Sequence, residues 1–388
     1  MKIENLDELI QFRRDLHQNP ELSGKEYKTQ KKILNFISKF SPDKIIKNLG
    51  GTGLAAVYNG INSGPTIVFR ADIDALPIHE ENNFEYASKT PNVSHKCGHD
   101  GHTTMVAGLG NILQKNKPKT GRVVLLFQPA EETVKGAKKV VNDPKYSQIT
   151  PDYLFAIHNF YSEEENQILL RSGQMTPAVT TALINLEGIG VHSSRPETGI
   201  SPYNAATKII SKIYELQRPD NIDFDDFSMA TLVHFVLGKE AGYGTAPGDA
   251  HIAITLRAYK DEVLNDLTGQ IEKYINTVAK EENLKKWRIF YTDDAIACIN
   301  DEYCCQVVKN AANQNNINIK HMDTSLRGGE DVGYLINTCK KGGAFFLLGF
   351  GPDHTDLHLS NYDFPEKLIE PGINMYNSII NEILNKQV

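Results

Sequence analysis

Apolar and polar positions along the chain follow two spacings, which together predict alternating helices and strands. In "KIENLDELIQFRRDL" (2–16) and "TTMVAGLGNILQK" (103–115) the apolar residues recur every three or four positions, which predicts amphipathic helices. "GRVVLLFQPAEE" contains the apolar run VVLLF shortly before its two acids, and "DYLFAIHNF" contains the run YLFAI directly before His158. Both runs predict buried strands. "GTGLAAVYNG" and "GPTIVFRADIDAL" also read as strands, and we expect them to pair as an edge hairpin. Alternating strands and helices favour an α/β sheet.

The pattern changes near Met175. From there "AVTTALINLEGIGVHSS" alternates like a half-exposed antiparallel strand, and helices and strands follow that would form a self-contained α+β unit. After "RIFYTDDAIACIN" the earlier pattern resumes, with the apolar strand "GGAFFLLGF" and a closing helix from about Glu366. We therefore predict a larger α/β domain formed by residues 1–176 and 290–388, interrupted by a smaller α+β domain of residues 177–289.

Composition and charge narrow the class of protein. The 388 residues carry a formal net charge of -7 and a pI near 6.0, which disfavours nucleic-acid binding because that needs a basic face. The first residues lack the uninterrupted apolar core of a signal peptide, and no run approaches the roughly 18 apolar residues of a membrane span. The odd number of five scattered cysteines does not suit a disulfide framework. We expect a cytoplasmic protein that acts on small molecules.

Polar residues with metal-binding or acid–base chemistry follow several predicted strands. Ligands collect beyond the carboxyl ends of the strands in parallel α/β sheets, so these residues should converge on one edge. The candidates are Asp72 and Asp74 after "TIVFR", Glu131 and Glu132 after "VVLLFQPA", His158 after "YLFAI", and His354 to His358 after "AFFLLGFG".

"HKCGHDGHTT" (95–104) adds a thiol and further histidines just before a predicted helix. The C-x-H spacing of Cys97 and His99 can direct both side chains toward one ion. Thiolate, imidazole and carboxylate together suit Zn, Mn, Co or Ni, and do not suit Mg or Ca. The adjacent Glu131 and Glu132 could then divide the work, one binding metal while the other moves a proton.

Two other readings of these residues stay open at this point. "CGHD" could be an ordinary polar loop and the acid pair a solvated helix start. Alternatively, Cys97 could be a nucleophile with His99 or His158 as its base. The nucleophile scheme gives no role to the acid pair or to the histidine after the last strand, whereas metal-assisted hydrolysis uses both.

Eight stretches in order resemble one enzyme family over almost the whole chain. They are "RRDLHQNPELSGKEYKT", "RADIDALPI", "HKCGHDGHTT", "FQPAEE", "IHN", "GVHSSRPETGISP", "GGEDVGYL" and "LHLSNYDF". The chain resembles the aminoacylase and hippurate hydrolase branch of the carboxypeptidase G-like metallopeptidases. This implies a zinc-exopeptidase-like α/β catalytic domain with an inserted lid and dimerisation domain, and hydrolysis of the amide bond of N-acetyl, N-benzoyl or similar N-acyl amino acids.

The resemblance also implies roles for individual residues. Glu131 would be the general base, and Asp72 and Asp100 would orient ligand histidines. His358 fits the family's spacing to "YDF" better than His354 does. The metal ligands would be Cys97, His99, Glu132, His158 and His358, holding two divalent ions that share the Cys97 thiolate, while His95 and His102 would lie outside the ligand set.

In the inserted domain the resemblance is less complete. His192 in "GVHSS" resembles a histidine that stabilises the oxyanion, and it could act in its own subunit or a partner's. The family commonly has an N-x-I-P motif before the "LR" strand, whereas this chain has "GYGTAPGDAHIAITLRAY". Arg257 remains a candidate partner for the substrate carboxylate through a bidentate contact, and a structural salt bridge would explain it equally well. Because the asparagine is missing, the sequence does not identify which N-acyl amino acid is the substrate. A metal-binding module without catalysis, or a dipeptidase, remains an alternative function.

Overall fold

Two separate hydrophobic cores organise the chain in the computed structural model, which describes residues 2–219 and 226–385. The large unit consists of Met1–Met175, Cys298–Asp323 and Glu330–Val388, and the small unit of Thr176–Ala297 and Thr324–Gly329. Each core is built from apolar side chains of its own unit. Of the helices in the described residues, none is both long and apolar enough to cross a bilayer.

The helices and strands follow each other in an order close to the predicted alternation. The helices are α1 (Leu6–Gln18), α2 (Tyr27–Ser38), α3 (His99–Lys115), α4 (Gly136–Asn142), α5 (Tyr203–Leu216), α6 (Asp261–Glu281), α7 (Glu302–Gln314), α8 (Gly333–Ile336) and α9 (Ile369–Ile380). The strands are β1 (Lys44–Leu49), β2 (Gly53–Asn59), β3 (Asn62–Asp72), β4 (Thr120–Gln128), β5 (Tyr153–Phe160), β6 (Glu165–Leu170), β7 (Gly173–Thr176), β8 (Ala178–Glu187), β9 (Val191–His192), β10 (Ser228–Leu237), β11 (Thr245–Ala246), β12 (Asp249–Ala258), β13 (Lys286–Ala295), β14 (Cys298–Asn300), β15 (Ile319–His321) and β16 (Gly342–Phe350).

The large unit is built on an eight-stranded sheet in the order β1-β2-β4-β3-β5-β16-β6-β15. Strand β3 runs parallel to β4 and β5, and β16 runs parallel to β5. Helices α1, α2, α3, α7 and α9 contribute to the same core as these strands. The carboxyl ends of the four parallel strands therefore reach one edge of the sheet, which confirms the predicted α/β class and brings the strand-end residues together.

The expected edge hairpin of the first two strands is wrong. Strand β2 pairs antiparallel with β1, and β4 lies between β2 and β3. Only two of the six residues of β1 are buried, so this edge strand shows no clear apolar pattern. The first six residues of β2 are all buried, so both faces of the sheet are covered along this strand.

The small unit has a four-stranded antiparallel sheet in the order β10-β12-β8-β13. Helices α5 and α6 pack against one face of this sheet through alternate residues such as Ile184 and Ile254. On the opposite face Leu183 of β8 lies beside Phe290 of β13, and both side chains are exposed. A separate two-stranded pair, β9 and β11, places His192 opposite Thr245.

Candidate metal centre

A tight turn directs Cys97 and His99 into the edge of the sheet. Gly98 has φ 96°, and a side-chain carbon there would lie 2.2 Å from the Asn159 Oδ1 atom. Only glycine fits this turn without strain and a clash. Helix α3 starts at His99, four residues before its predicted start, so His99 and His102 belong to its first turn. Both histidines and Cys97 are buried.

Cys97 is the centre of a group of ligand atoms from four parts of the chain. Its Sγ lies 3.3 Å from the His158 Nε2 atom at the end of β5. One ligand atom each from Cys97, Glu132 and His358 lie within 4.8 Å of one another. The His358 Nε2 and Glu132 Oε2 atoms are 3.9 Å apart. Residues far apart in sequence therefore meet as the strand-end rule predicts.

His99 faces the acid pair that follows β4. Its Nε2 atom lies 3.9 Å from Glu131 Oε2 and 3.7 Å from Glu132 Oε1. One ligand atom from each of these three side chains lies within 4.8 Å of the other two. Glu132 thus contacts both His99 and the group around Cys97, which is the arrangement that a pair of neighbouring ions would need.

Two buried polar atoms of these side chains lack a hydrogen-bond partner within the described part of the chain, as expected of atoms that bind a cation. The buried His99 Nε2 and Glu132 Oε1 atoms have no hydrogen-bond partner among the described residues. His99 Nδ1 lies 3.0 Å from the Asp74 carbonyl oxygen and His158 Nδ1 lies 2.7 Å from that of Asn159. A carbonyl can only accept, so each Nδ1 donates, and in the neutral ring each Nε2 carries the lone pair that a metal ion binds.

Burial and like charge hold protons on the acidic groups of the metal-free site. Burial, together with the neighbouring Glu330 and Glu132, raises the pKa of Glu131 well above its usual value. Burial raises the pKa of Glu132 to about 7. Burial, reinforced by Glu132, also raises the pKa of the Cys97 thiol. A bound divalent ion would reverse these effects, because it stabilises the deprotonated ligands.

Arg70 supplies the buried positive charge beneath this edge. Its guanidinium donates to Asp72 at 2.7 Å, Glu330 at 2.9 Å, Asp331 at 3.0 Å and Gln128 at 2.8 Å. Carboxylate atoms of Glu330 and Asp331 lie within 4.8 Å of one of Glu131. Arg70 therefore bridges two groups of carboxylates. Asp72 lies on the side of the histidines, and Glu330 and Asp331 lie on the side of Glu131.

The two aspartates expected to orient histidines lie in different surroundings. Asp72 Oδ1 accepts from His102 Nδ1 at 2.6 Å, and its Oδ2 lies 3.8 Å from His99 Nε2. Asp100 instead faces α1, where it contacts the Arg13 Nε atom at 2.7 Å and His17 Nδ1 at 2.9 Å. The aspartate that contacts His99 Nδ1, at 3.3 Å, is Asp74.

The remaining histidines near the site are accounted for by other contacts. His102 is bonded on both nitrogens, to Asp72 and to Asn159, which leaves neither nitrogen free for an ion. His95 is fully enclosed, and burial lowers its pKa to about 4. His354 packs against the Phe350 ring at 5.0 Å between ring centres. Of the two loop histidines, His358 is the one placed against Glu132.

His192 and Arg257 belong to the small unit. His192 is exposed at the end of β9, with its Nδ1 atom 2.7 Å from Ser194 Oγ. Arg257 is half-buried on β12, and burial lowers the pKa of its guanidinium. Their predicted roles at the site stay predictions.

Sequence patterns alone assign no role to Arg70, Glu330 or Asp331, and none of its own to Asp74. The "GGEDVGYL" stretch contributes to the family resemblance, but its spacing alone indicates no chemistry. An acidic pair next to two glycines reads as a surface loop, and only the fold shows that both carboxylates are buried against an arginine 260 and 261 residues away.

The chain matches known proteins along most of its length. A family model described as peptidase family M20/M25/M40 matches residues 68–382. The N-acetyl-L-cysteine deacetylase of Bacillus subtilis is 31% identical over 93% of this chain and 85% of its own. The hippurate hydrolase of Campylobacter jejuni is 29% identical over 95% of this chain and 94% of its own.

Solved structures agree with this likeness. The Bacillus subtilis YXEP protein, described as a dinuclear metal binding peptidase from the M20 family, aligns with a TM-score of 0.81 and 25% identity. That alignment covers 98% of this chain and 99% of the other. The aminobenzoyl-glutamate utilization protein of Klebsiella pneumoniae shares the fold, with a TM-score of 0.75 at 16% identity over 99% of this chain and 98% of the other.

Proposed function

Because the chain belongs to peptidase family M20/M25/M40, we propose that it hydrolyses the amide bond of N-acyl amino acids with the help of two divalent metal ions. The names of the deacetylase and hippurate hydrolase relatives both denote cleavage between an acyl group and an amino acid. The observation that carries the proposal is the unpaired Nε2 atom of buried His99, which faces Glu131 and Glu132.

The ions would be held by side chains that the fold already brings together. The residues that would hold the ions in this proposal are Cys97, His99, Glu132, His158 and His358. Soft thiolate with imidazole and carboxylate suits Zn, Mn, Co or Ni. When bound, such ions polarise the scissile carbonyl and make water acidic enough to attack at neutral pH.

Glu131 would move the proton in this reaction. Its carboxylate lies beside His99 without being needed as a ligand. As a general base it would take a proton from the attacking water and deliver it to the nitrogen of the leaving amino acid. Buried Arg70 would fix the carboxylates that surround it. His192 would stabilise the oxyanion, as the resemblance implies. Arg257 would bind the substrate carboxylate through its two-pronged guanidinium.

The lid role of the small unit and its use as a dimer interface also belong to this proposal. Leu183, Phe290 and Val233 expose apolar side chains on its sheet, and β10 is an edge strand. Dimerisation would cover this surface. None of the five cysteines forms a disulfide bond, which supports a reducing compartment such as the cytoplasm.

The test is to measure release of free amino acid from N-acetyl and N-benzoyl amino acids and from dipeptides. We expect chelator to abolish release and Zn or Mn to restore it. In E131Q the metal content should remain while kcat falls about 10²- to 10⁴-fold.

The neighbouring E132Q is the matched control, since it should lose metal as well as activity. An E131Q protein with normal turnover would overturn the assignment of the base. No chelator-sensitive release from any substrate would favour a binding module, and release from dipeptides alone would favour a dipeptidase.

A further inference from the structure

Lys96, immediately before Cys97, is buried in a way that lysines seldom are. Among the lysines that the structure describes, it is the only one whose side chain is fully enclosed. A lysine is almost never fully buried unless its charge is paired, because an ammonium group loses much hydration energy inside a protein. Its position beside the site therefore requires an explanation from its contacts.

Lys96 bonds twice to the loop segment 358–362, which carries His358. Its backbone carbonyl oxygen accepts from the His358 amide at 2.7 Å. Its Nζ atom donates to the Tyr362 carbonyl oxygen at 2.8 Å. One residue thus holds both ends of this segment and stands next to Cys97 in sequence.

His358 needs such support more than the other proposed ligands do. Its side chain is 53% exposed, so packing fixes it only partly. Its backbone adopts φ 66°, the left-handed region that residues other than glycine seldom occupy. A strained backbone of this kind persists only where its surroundings hold it. Lys96 provides two of the bonds that hold this segment. Asn82 Nδ2 also donates to the Tyr362 carbonyl oxygen at 3.2 Å, and the Glu81 amide donates to the Ser360 carbonyl oxygen at 3.1 Å.

The ammonium group of Lys96 is itself bonded to a carboxylate that has several other partners. It also donates to the Glu80 carboxylate, which is bonded to the Ser88 amide at 2.6 Å and to Asn82 Nδ2 at 2.9 Å. His17 Nε2 of α1 lies 3.1 Å from the same carboxylate. The Nζ atom that donates to Tyr362 is therefore also held by a carboxylate that three other groups bind.

We propose that Lys96 is a positioning residue that holds His358 against Cys97 and Glu132, and that it sets the affinity for the ion bound by these three side chains. This inference rests on the proposed function. His99 and His158 are oriented by backbone carbonyls that Lys96 does not contact. Loss of Lys96 should therefore weaken one of the two ions selectively.

The test is to titrate metal-free protein with Co²⁺ against a competing chelator and to count bound ions by elemental analysis. We expect two Co²⁺ per wild-type chain. K96M keeps the aliphatic stem and the backbone bond to His358, and it loses the bond from Nζ to the Tyr362 carbonyl. In this variant one ion should bind as before and the other about 10- to 100-fold more weakly. A fold that is merely destabilised would weaken both ions together.

Two further variants separate positioning from charge balance. In K96M/E80Q the unpaired carboxylate is removed while the bond to Tyr362 stays absent, so the weaker ion should remain weak. K115M changes an exposed lysine at the far end of α3 and should bind both ions normally.

Wild-type binding of both ions by K96M, or full recovery in K96M/E80Q, would overturn the inference and leave the proposed function intact. A wild-type chain that binds no Co²⁺ would overturn both.

Discussion

The tautomers of two histidines are fixed by the main chain. His99 and His158 each donate an Nδ1 proton to a backbone carbonyl, which leaves the Nε2 atoms to face the site. The sequence pattern predicted both residues as ligands, but it could not show what orients them. Backbone carbonyls exist at every position, so only the fold reveals which ones point at a ring.

Metal affinity should rise with pH. Burial raises the pKa of Glu132 to about 7 and holds the pKa of the Cys97 thiol well above its usual value. A metal ion binds the deprotonated forms and must displace these protons, which costs more as the pH falls. Because the thiol stays protonated between pH 6 and 8, its proton alone should make affinity increase about tenfold per pH unit.

Competition titrations with Zn²⁺ at pH 6, 7 and 8 would measure this dependence. Calorimetry in two buffers of different ionisation enthalpy would count the released protons independently. A metal affinity that does not change over this range would contradict the placement of Cys97 and Glu132 as ligands.

At the scale of elements, the turn before α3 should tolerate no side chain. In Gly98→Ala the new carbon would combine a left-handed backbone with the 2.2 Å approach to Asn159 Oδ1. Asn159 cannot move aside easily, because His102 and Tyr362 hold its amide. We expect a loss of about 1–3 kcal/mol of unfolding free energy together with weaker metal binding.

Urea unfolding of the metal-free protein would measure that loss. Gly51→Ala is the matched control, since Gly51 has φ 114° but nothing within 4 Å of the added carbon. Its cost should reflect backbone strain alone. Equal losses in the two variants would show that the clash at Asn159 is absorbed without effect.

Elements with strong periodicity were predictable and those without it were not. The buried strands β4, β5 and β16 were read directly from their apolar runs. Strand β1 was missed because edge strands need little apolar surface. The first turn of α3 was missed because its residues serve the site, so histidine, aspartate and glycine replace the usual apolar spacing there.

At the scale of the whole molecule, we expect the protein to be a dimer through the small unit. Light scattering after size-exclusion chromatography should give twice the chain mass of 43.3 kDa. F290E, which places a charge on the exposed sheet face, should shift the protein to monomers. I61E, a like change at an exposed apolar residue of the large unit, should leave the dimer unchanged. A monomeric wild-type protein would contradict this expectation.

The family and fold class were predictable because many separate stretches of the sequence each indicate them. Eight short stretches spread over the chain indicated the family that the match to residues 68–382 confirms. Strand order could not be predicted in the same way, because β2 pairs with β4 across an intervening strand and helix. Pairing between strands that are distant in sequence depends on how the whole sheet packs, and the local sequence does not show this.

The contacts of α1 bear on how far the chain can be shortened. A protein trimmed to the matched residues 68–382 would lose Arg13 and His17, the two partners of buried Asp100 next to His99. It would also lose β2 and leave β4 as an unprotected edge. The first sixty-seven residues therefore supply buried contacts beneath the candidate metal centre. A chain shortened to the region of family similarity would lose these contacts.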